Sequence, residues 1–216
     1  APRLLSSFSG NPGVSTGAAQ AFVETFQNND RGWPAGSLDN GISTSTPAGG
    51  VYTVNVPYNT NTQRSQTTLP SPTKVGALPD NFTLSATIKL DTGGTGVFYG
   101  IAFHYRESDQ TCYALVINNA GNYELLKCSD ISTPVYQGTF QTGGQTHTLK
   151  VKAQGSNYSF YIDDNALSLN IGGQTATTWN NNELQGGQLA LFLSSQSSAG
   201  AQTAAYTISR VELSIG

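Results

Sequence analysis

The chain has 216 residues, of which 10 are basic and 13 acidic, so its formal net charge is −3. This length allows one sizeable domain, because all-β domains of about 200–250 residues are common. The sparse charge disfavours nucleic acids and anionic membranes as partners, since both need a basic patch. No apolar run approaches the roughly 18 residues of a membrane-spanning helix. Ser, Thr, Asn and Gln are abundant, which suits glycans, polymers or close protein packing, and equally an ordinary secreted surface.

Residues 1–20 (APRLLSSFSGNPGVSTGAAQ) are rich in Gly, Ser and Pro and contain one short apolar patch, formed by Leu4, Leu5 and Phe8. This composition predicts an N-terminal extension followed by a single domain over residues 21–216. The chain contains no Met, so we expect a processed product from which any signal peptide has already been removed.

Two strands are predicted before residue 57, over AFVETF (21–26) and GVYTVNV (50–56). Residues 57–80 contain four prolines and few apolar side chains, and we interpret them as a long surface excursion. The next segment, FTLSATIKL, predicts a half-buried strand because its apolar residues alternate with polar ones, at Phe82, Leu84, Ala86, Ile88 and Leu90. The segment GVFYGIAFHY (96–105) is almost continuously apolar, as expected of a strand that is covered on both faces.

The two cysteines of the chain close a predicted hairpin, CYALVINNAGNYELLKC. A three-residue loop that ends in Gly fits a type I turn followed by a left-handed residue, which assigns residues 119–121 to the loop. Counting outward from this loop places Cys112 opposite Cys128, at a separation that a disulfide can bridge. We therefore predict a cross-strand disulfide, with two free buried thiols as the alternative. A persistent disulfide indicates an oxidising, extracellular compartment.

Further strands are predicted along the rest of the chain, over residues 146–153, 157–163, 166–171, 186–195 and 204–215. About eleven strands with turns between them, and no convincing amphipathic helix, predict an all-β sandwich or barrel.

The order of four segments resembles the concanavalin A-like lectin/glucanase superfamily, in its laminin G-like and bacterial sugar-hydrolase-related branch. The four segments are FVETFQNNDRGW, FYGIAFHYRESDQTCYALVINNAGNYELLK, HTLKVKAQGSNYSFYIDDNAL, and GGQLALFLS with a terminal ISRVEL. Together they span residues 21–215. The resemblance implies a two-sheet antiparallel jelly-roll β-sandwich. It implies little about function, because this fold carries lectins, hydrolases, sensors and spacers.

No catalytic motif stands out in the sequence, and we predict that the chain is not an enzyme. Glycoside hydrolysis usually needs two carboxylates, and the glucanases of this superfamily carry them in a Glu-x-Asp-x-Glu pattern that is absent here. Glu107 and Asp109 are two residues apart, but they fall in a predicted turn and are interpreted as a solvated loop. Asp163 and Asp164 are interpreted as turn residues. There is no Gly-x-Ser-x-Gly motif.

No metal site is predicted. His104 and His147 fall in strands, where each is expected to face solvent or a hydrogen-bond partner, and no Cys/His cluster has zinc spacing. Laminin G-like relatives often bind calcium through loop aspartates, which makes Asp91 and Asp109 candidates. The sequence has no Asp-rich calcium loop, however.

Glycan binding is the leading functional hypothesis. Such sites stack aromatic rings on sugars and orient hydroxyl groups with polar side chains. Trp179 lies among polar neighbours and is predicted to be an exposed ring. Trp33 is a second candidate, although it is equally interpreted as a core residue. The remaining candidates are Tyr105, Arg106 and Asp109.

These observations predict an extracellular or cell-surface, non-enzymatic module that binds carbohydrate or acts in adhesion. The alternative is a self-assembling subunit of an extracellular filament or surface layer, in which residues 1–20 add a strand to a neighbouring copy. Docking of the same residues on their own sandwich is the other physically reasonable arrangement and the one we favour, since sandwich edges need covering. The third hypothesis is an unusual glycoside hydrolase.

Overall fold

The structure is a computed structural model, and it describes residues 17–38, 41–57, 64–196 and 203–216. Within these residues the chain forms strands and a short 3₁₀ turn at Thr73–Val75, without an α-helix. No helix of the described part is long and apolar enough to cross a membrane.

In chain order the strands are β1 (Phe22–Glu24), β2 (Gly36–Ser37), β3 (Ser43–Thr44), β4 (Tyr52–Val56), β5 (Arg64–Pro70), β6 (Asn81–Thr92), β7 (Val97–Arg106), β8 (Thr111–Ile117), β9 (Asn122–Lys127), β10 (Tyr136–Thr139), β11 (Thr146–Gln154), β12 (Asn157–Ile162), β13 (Asn165–Ala166), β14 (Leu169–Ile171), β15 (Gln174–Ala176), β16 (Trp179–Asn180), β17 (Gln188–Gln196) and β18 (Ala204–Ile215).

The strands form two large antiparallel sheets. The six-stranded sheet has the order β10-β9-β8-β7-β17-β5. The ten-stranded sheet has the order β13-β12-β11-β6-β18-β4-β3-β2, with β1 also paired to β18 and β16 to β12. Strands β14 and β15 pair separately. The predicted all-β, two-sheet architecture is confirmed.

Strand β6 shows how the sequence pattern sets the inner face of the ten-stranded sheet. Its apolar residues are buried and its polar residues face away, as the alternation predicts. The neighbouring β11 pairs with it over nine residues, from Thr146 opposite Lys89 to Gln154 opposite Asn81. The buried face of β11 therefore continues that of β6.

Aromatic rings fill the space between the two sheets. Phe103 of the six-stranded sheet lies 5.5 Å from Tyr158 and 6.2 Å from Phe160 of the other sheet, between ring centroids. The Tyr206 hydroxyl donates a hydrogen bond of 3.3 Å to the Gly100 carbonyl across the interior. Burial of this phenol raises the pKa of Tyr206 well above its ordinary value.

The predicted hairpin and its disulfide are confirmed. Asn118 N donates to Asn122 O at 3.0 Å, and Gly121 occupies the left-handed region at a φ of 84°. The bond joins Cys112 to Cys128, whose Cα atoms lie 5.1 Å apart. The register counted from the turn is thus the register of the sheet.

The prediction of a surface excursion over residues 57–80 is wrong for Arg64–Pro70. These residues form β5, which pairs with β17 over its seven residues. Leu69 of this strand is buried in the core. Pro70 lies opposite Ala190 at the end of an edge strand, where a missing N–H group is tolerated.

The described end of the predicted N-terminal extension packs against the domain. Ala19 N donates to Ala77 O at 2.6 Å, and Ala77 N donates to Gly17 O at 3.1 Å. The side chain of Ala19 is buried. Residues 1–16, which include Leu4, Leu5 and Phe8, lie outside the described residues, and so does the strand addition predicted for them.

The outward-facing surfaces of the two sheets differ in composition. The ten-stranded sheet turns polar side chains outward, such as Thr83 of β6 and Lys152 of β11. The six-stranded sheet turns apolar side chains outward, and they are nonetheless buried. We call this surface the outer apolar face; it consists of Ala102, Cys112, Ala114, Val116, Leu126, Cys128, Ala190 and Phe192.

Candidate functional site

The structure does not bear out the exposed position predicted for Trp179. Its exposed fraction is 6%, and its ring packs edge-on against Tyr113 at 5.0 Å and Tyr136 at 5.9 Å. The cause is the pairing of β16 with β12, in which Trp179 lies opposite Tyr158 and points inward while Asn180 is exposed. A buried ring offers no face to a sugar.

Trp33 is also a core residue, as the alternative interpretation holds. Its exposed fraction is 2%, and its ring lies among Phe26 and Tyr52. The indole Nε1 donates to Glu24 Oε2 at 3.1 Å, and Phe26 N donates to Glu24 Oε1 at 2.7 Å. Glu24 is therefore a buried acceptor that fixes this corner of the core.

Of the remaining candidates, Arg106 and Asp109 are exposed and in contact, whereas Tyr105 is buried. Arg106 donates to Asp109 Oδ2 at 2.9 Å, and the Thr111 hydroxyl donates to Asp109 Oδ1 at 2.7 Å. The hydrogen bond from Thr111 is the main cause of the lowered pKa of Asp109. These residues occupy the turn between β7 and β8, as the solvated-loop interpretation predicts.

A second group of polar side chains near this turn was not predicted. Glu183 forms an ion pair with Lys127, and its Oε2 accepts a hydrogen bond of 3.2 Å from the Tyr113 hydroxyl. The same hydroxyl lies 3.1 Å from Asn181 Oδ1. No short motif could have indicated this group, because it joins residues about 70 positions apart in the chain.

The electrostatics of this group do not suit proton donation. The hydrogen bond from Lys127 is the largest cause of the lowered pKa of Glu183, and the Arg106 charge adds to it. Burial and the Glu183 carboxylate raise the pKa of Tyr113 above its ordinary range. A general acid in glycoside hydrolysis needs a raised carboxyl pKa, so neither Asp109 nor Glu183 fits that role.

The calcium hypothesis finds no donor set in the described part of the chain. No group of three or more His, Cys, Asp and Glu side chains there is placed to hold a metal ion. The calcium candidates Asp91 and Asp109 lie on either side of the ten-residue strand β7. Asp91 instead accepts a hydrogen bond from the Thr207 hydroxyl.

Both histidines are buried and hydrogen-bonded. His104 Nδ1 lies 2.7 Å from the Gly186 carbonyl, and its Nε2 lies 2.8 Å from the Tyr158 hydroxyl. Burial lowers the pKa of His104. His147 Nδ1 lies 2.7 Å from Asp163 Oδ2, while Asp163 Oδ1 accepts from Thr148 N at 2.8 Å. Both histidines thus face hydrogen-bond partners: those of His104 lie inside the fold, whereas Asp163, the partner of His147, is exposed.

A cleft of about 420 Å³ lies along one lateral edge of the sandwich, and we call it the lateral cleft. It opens between β10, the edge strand of the six-stranded sheet, and the edge of the other sheet at β13. An edge strand presents one row of backbone N–H and C=O groups that its sheet does not pair. The lateral cleft is lined by both polar and apolar side chains. The amide and hydroxyl side chains are those of Gln137, Thr139, Gln141, Asn165, Ser168 and Asn170, and the apolar and aromatic ones are those of Tyr123, Phe140, Ile162, Ala166 and Leu167.

Gly138 is one of the residues that line the lateral cleft. Gly138 of β10 leaves room for the Tyr123 ring, because a Cβ atom there would lie 2.6 Å from Tyr123 Cζ. The Tyr123 hydroxyl then donates to Ser168 O at 2.8 Å, which ties the two walls together. The Phe140 ring forms part of the wall and packs edge-on against His147, at 5.2 Å.

Asp163 is the carboxylate of the lateral cleft. It occupies the left-handed region at a φ of 51°, in the turn between β12 and β13. Its carboxylate is oriented by His147 Nδ1 and by Thr148 N, and His147 itself does not line the cleft. The sequence singled out Asp163 only as a turn residue.

The fold of the chain is shared with several solved structures. No protein-family model matches the sequence, and neither does any curated protein. Among solved structures, the chain is similar to a β-glucanase of Bacillus licheniformis, with 12% identity, a TM-score of 0.57, and coverage of 91% of this chain and 99% of that chain. A lichenase from a mouse hindgut metagenome matches with 9% identity, a TM-score of 0.56, and coverage of 91% and 100%. A laminarinase catalytic domain of Thermotoga petrophila matches with 7% identity, a TM-score of 0.56, and coverage of 90% and 98%. The chain therefore has the jelly-roll β-sandwich fold of these structures, which is the fold that the sequence resemblance implied.

The prediction that the chain is not an enzyme is wrong. Three solved structures that share its fold over nearly their whole length are glucanases. The fold therefore accommodates glycoside hydrolysis, and a missing Glu-x-Asp-x-Glu pattern is not sufficient to exclude it.

Proposed function

We propose that the chain acts outside the cell and binds a neutral polysaccharide in the lateral cleft. The observation that carries the proposal is the lining of that cleft, in which amides and hydroxyls surround an aromatic ring. Such side chains exchange hydrogen bonds with sugar hydroxyls, and a ring packs on the apolar face of a sugar. The volume of about 420 Å³ is within the range of small-ligand sites, roughly 300–1,000 Å³.

Three further observations support this proposal. The similar structures are a β-glucanase, a lichenase and a laminarinase, which act on polysaccharides. The lining residues include one carboxylate and neither Lys nor Arg, which favours an uncharged ligand over an acidic one. The disulfide supports an oxidising compartment, where extracellular polysaccharides occur.

Hydrolysis of the bound polysaccharide is a second candidate function, favoured by the three glucanases that share the fold. Glycosidases usually place two carboxylates on either side of the scissile bond. Among the residues that line the lateral cleft, Asp163 supplies one. Asp163 is therefore the residue through which to test hydrolysis.

Affinity electrophoresis in gels that contain soluble β-glucan, galactan, xylan or chitin oligomers tests the binding proposal. We expect at least one neutral polymer to retard the wild-type chain. The double variant Gln137→Ala, Gln141→Ala should lose most of the retardation, because no hydrogen bond within the fold engages either amide among the described contacts. Gln154→Ala, an exposed amide at the end of β11, is the matched control and should migrate like the wild type.

Equal retardation of the wild type and the double variant would place the glycan elsewhere, and retardation by acidic polymers alone would contradict a neutral ligand. The same polymers should be assayed for new reducing ends with wild type and Asp163→Asn. Release of reducing ends that the Asn variant abolishes would establish hydrolysis at the lateral cleft. Binding without release by either form would leave the binding proposal standing and remove the second candidate.

A further inference from the structure

A second cleft, of about 450 Å³, lies beside the lateral cleft, and we call it the end cleft. It opens where β6 continues past the beginning of β11. Thr146, the first residue of β11, lies opposite Lys89, whereas β6 extends as far as Thr92. Three parts of the chain meet here: the end of β6, the turn before β9 and the segment that enters β11. The polar side chains of the end cleft are those of Lys89, Asp91, Asn119, Thr142, Gln145 and His147.

One loop forms a wall of both clefts, and we call it the dividing loop. It connects β10 of the six-stranded sheet with β11 of the ten-stranded sheet, over residues 140–145. Phe140 and Gln141 line the lateral cleft, whereas Thr142 and Gln145 line the end cleft. The two clefts are therefore neighbours with the dividing loop between them.

A hydrogen-bonded pair of side chains also lies between the two clefts. His147 lines the end cleft and Asp163 lines the lateral cleft, and His147 Nδ1 lies 2.7 Å from Asp163 Oδ2. The Phe140 ring packs edge-on against His147, at 5.2 Å between ring centroids. The clefts are consequently separated by side chains in direct contact, a distance that a chain of linked sugars can cross.

The dividing loop is held against the turn between β8 and β9. Phe140 N donates to Gly121 O at 2.8 Å, and a Cβ atom at Gly121 would lie 2.9 Å from Thr142 Cγ2. The same turn supplies Asn119 to the end cleft. Because this wall is already packed in place, a ligand that crosses it does not have to order it first.

The end cleft presents hydrogen-bonding groups that suit sugar hydroxyls. The Tyr99 hydroxyl donates to Asn119 Oδ1 at 2.9 Å, which orients this amide and leaves its Nδ2 as a donor. Asp91 Oδ2 accepts from the Thr207 hydroxyl, and Asp91 Oδ1 is an acceptor without a partner among the described contacts. Lys89 and Asp91 carry charges of opposite sign, so the pair favours a ligand without net charge.

We propose that the end cleft is a second subsite for the same polysaccharide, which runs from the lateral cleft across the dividing loop. This second subsite rests on the proposed function, because the polymer reaches it as the continuation of a chain bound in the lateral cleft. The ligand is therefore a chain of sugars long enough to contact both clefts. Contacts made by a second part of one bound chain add affinity without a second loss of translational freedom.

Titration calorimetry tests this extension. The probes are oligosaccharides, from the disaccharide to the octasaccharide, of whichever polymer retards the chain in the affinity gels. For the wild type we expect the dissociation constant to fall about tenfold or more between the shortest and the longest probe. Lys89→Ala, Gln145→Ala should lose this gain and bind the shortest probe like the wild type, because both side chains are exposed and line the end cleft alone of the two clefts.

Lys152→Ala, Gln154→Ala is the matched control. It removes the same two types of exposed side chain from β11, on the outer surface of the ten-stranded sheet. This variant should keep the full gain in affinity with probe length.

Two results would overturn the extension and leave the lateral cleft as the binding site. The first is equal affinity of the wild type for short and long probes. The second is a full gain with length in Lys89→Ala, Gln145→Ala. Loss of short-probe binding in that variant would place the first sugars in the end cleft, which also contradicts the proposal.

Gln137→Ala, Gln141→Ala distinguishes failure of the extension from failure of the proposed function. This variant should weaken the binding of probes of every length, since both amides line the lateral cleft. Wild-type affinity for every probe in this variant would remove the lateral cleft as a glycan site, whatever the end-cleft variant shows. Absence of binding by the wild type at any length would remove both.

Discussion

The two sheets of this sandwich share one core but have opposite outer surfaces. Thr83 and Lys152 represent the outer surface of the ten-stranded sheet, which is polar and meets solvent. Val116 and Phe192 represent that of the six-stranded sheet, which is apolar and fully buried. An antiparallel sheet normally covers one face and hydrates the other. A sheet that buries both faces has no open surface left for a ligand. The cleft proposed for the polysaccharide lies instead at the lateral edge of the sandwich.

Of the tests below, a carboxylate introduced on each outer surface should give the largest difference in the free energy of unfolding. Val116→Asp places a carboxylate where no water reaches, and we expect the free energy of unfolding to fall by about 4 kcal/mol or more. Thr83→Asp lies opposite Lys152 on the ten-stranded sheet and should change stability by less than about 0.5 kcal/mol. Urea titration followed by tryptophan fluorescence measures both. Equal losses of stability in the two variants would contradict the difference in burial between the two outer surfaces.

The disulfide strengthens the sheet with the buried outer face. Replacing both Cys112 and Cys128 with Ala opens a loop closed over a sequence separation of 16 residues, and should lower the free energy of unfolding by about 3 kcal/mol. Denaturant unfolding of the double variant, compared with the oxidised wild type, gives this difference. The wild type treated with reductant should match the variant. A reduced wild type as stable as the oxidised form would contradict the expectation.

The lateral cleft depends on the absence of a side chain at Gly138. In Gly138→Ala the new Cβ would lie 2.5 Å from the Tyr123 hydroxyl oxygen, so the ring must move into the cleft. We expect a loss of about 1–3 kcal/mol in stability, as in other overpacked sites, together with weaker polysaccharide retardation. Gly143→Ala is the control, since a Cβ there meets no atom within 4 Å. Retention of full binding in Gly138→Ala would show that Tyr123 does not shape the site.

The smallest expected effect is the pH dependence of stability that arises from His104, whose burial favours the neutral imidazole. Its pKa is lowered in the folded protein, although the Gly186 carbonyl and the Asp80 charge act in the opposite direction. As the pH falls below about 6.5, the unfolded chain binds a proton that the folded chain does not. The free energy of unfolding should therefore decrease toward acid, with a limiting slope of about 1.4 kcal/mol per pH unit. The slope between pH 6.5 and 5 should flatten in His104→Gln. An identical slope in the variant would assign the pH dependence to other groups.

Sequence patterns predicted the parts of this fold that are set by neighbouring residues. The alternation in β6, the turn at Asn119–Gly121 and the register that joins Cys112 to Cys128 are local properties. The continuous apolar run of β7 also predicted cover on both faces, and Ile101 and Ala102 are buried on opposite sides.

Properties that depend on distant pairing could not be predicted in the same way. Trp179 is flanked by polar residues, and its burial follows from pairing with Tyr158, 21 positions earlier in the sequence. The prolines around β5 conceal an edge strand whose partner is β17. The walls of the lateral cleft come from β10 and from residues 162–170, which the fold brings together without any shared motif.

The central claim is that glycan binds at the lateral edge and not over either sheet. Backbone amide shifts in ¹H–¹⁵N spectra of the full chain, recorded while an oligosaccharide of the retarding polymer is added, test it most directly. The account predicts shifts that saturate at Gln137, Phe140, Gln141 and Asn165, with Val116 and Phe192 unchanged. Shifts confined to β8 and β17, with the cleft residues silent, would contradict it.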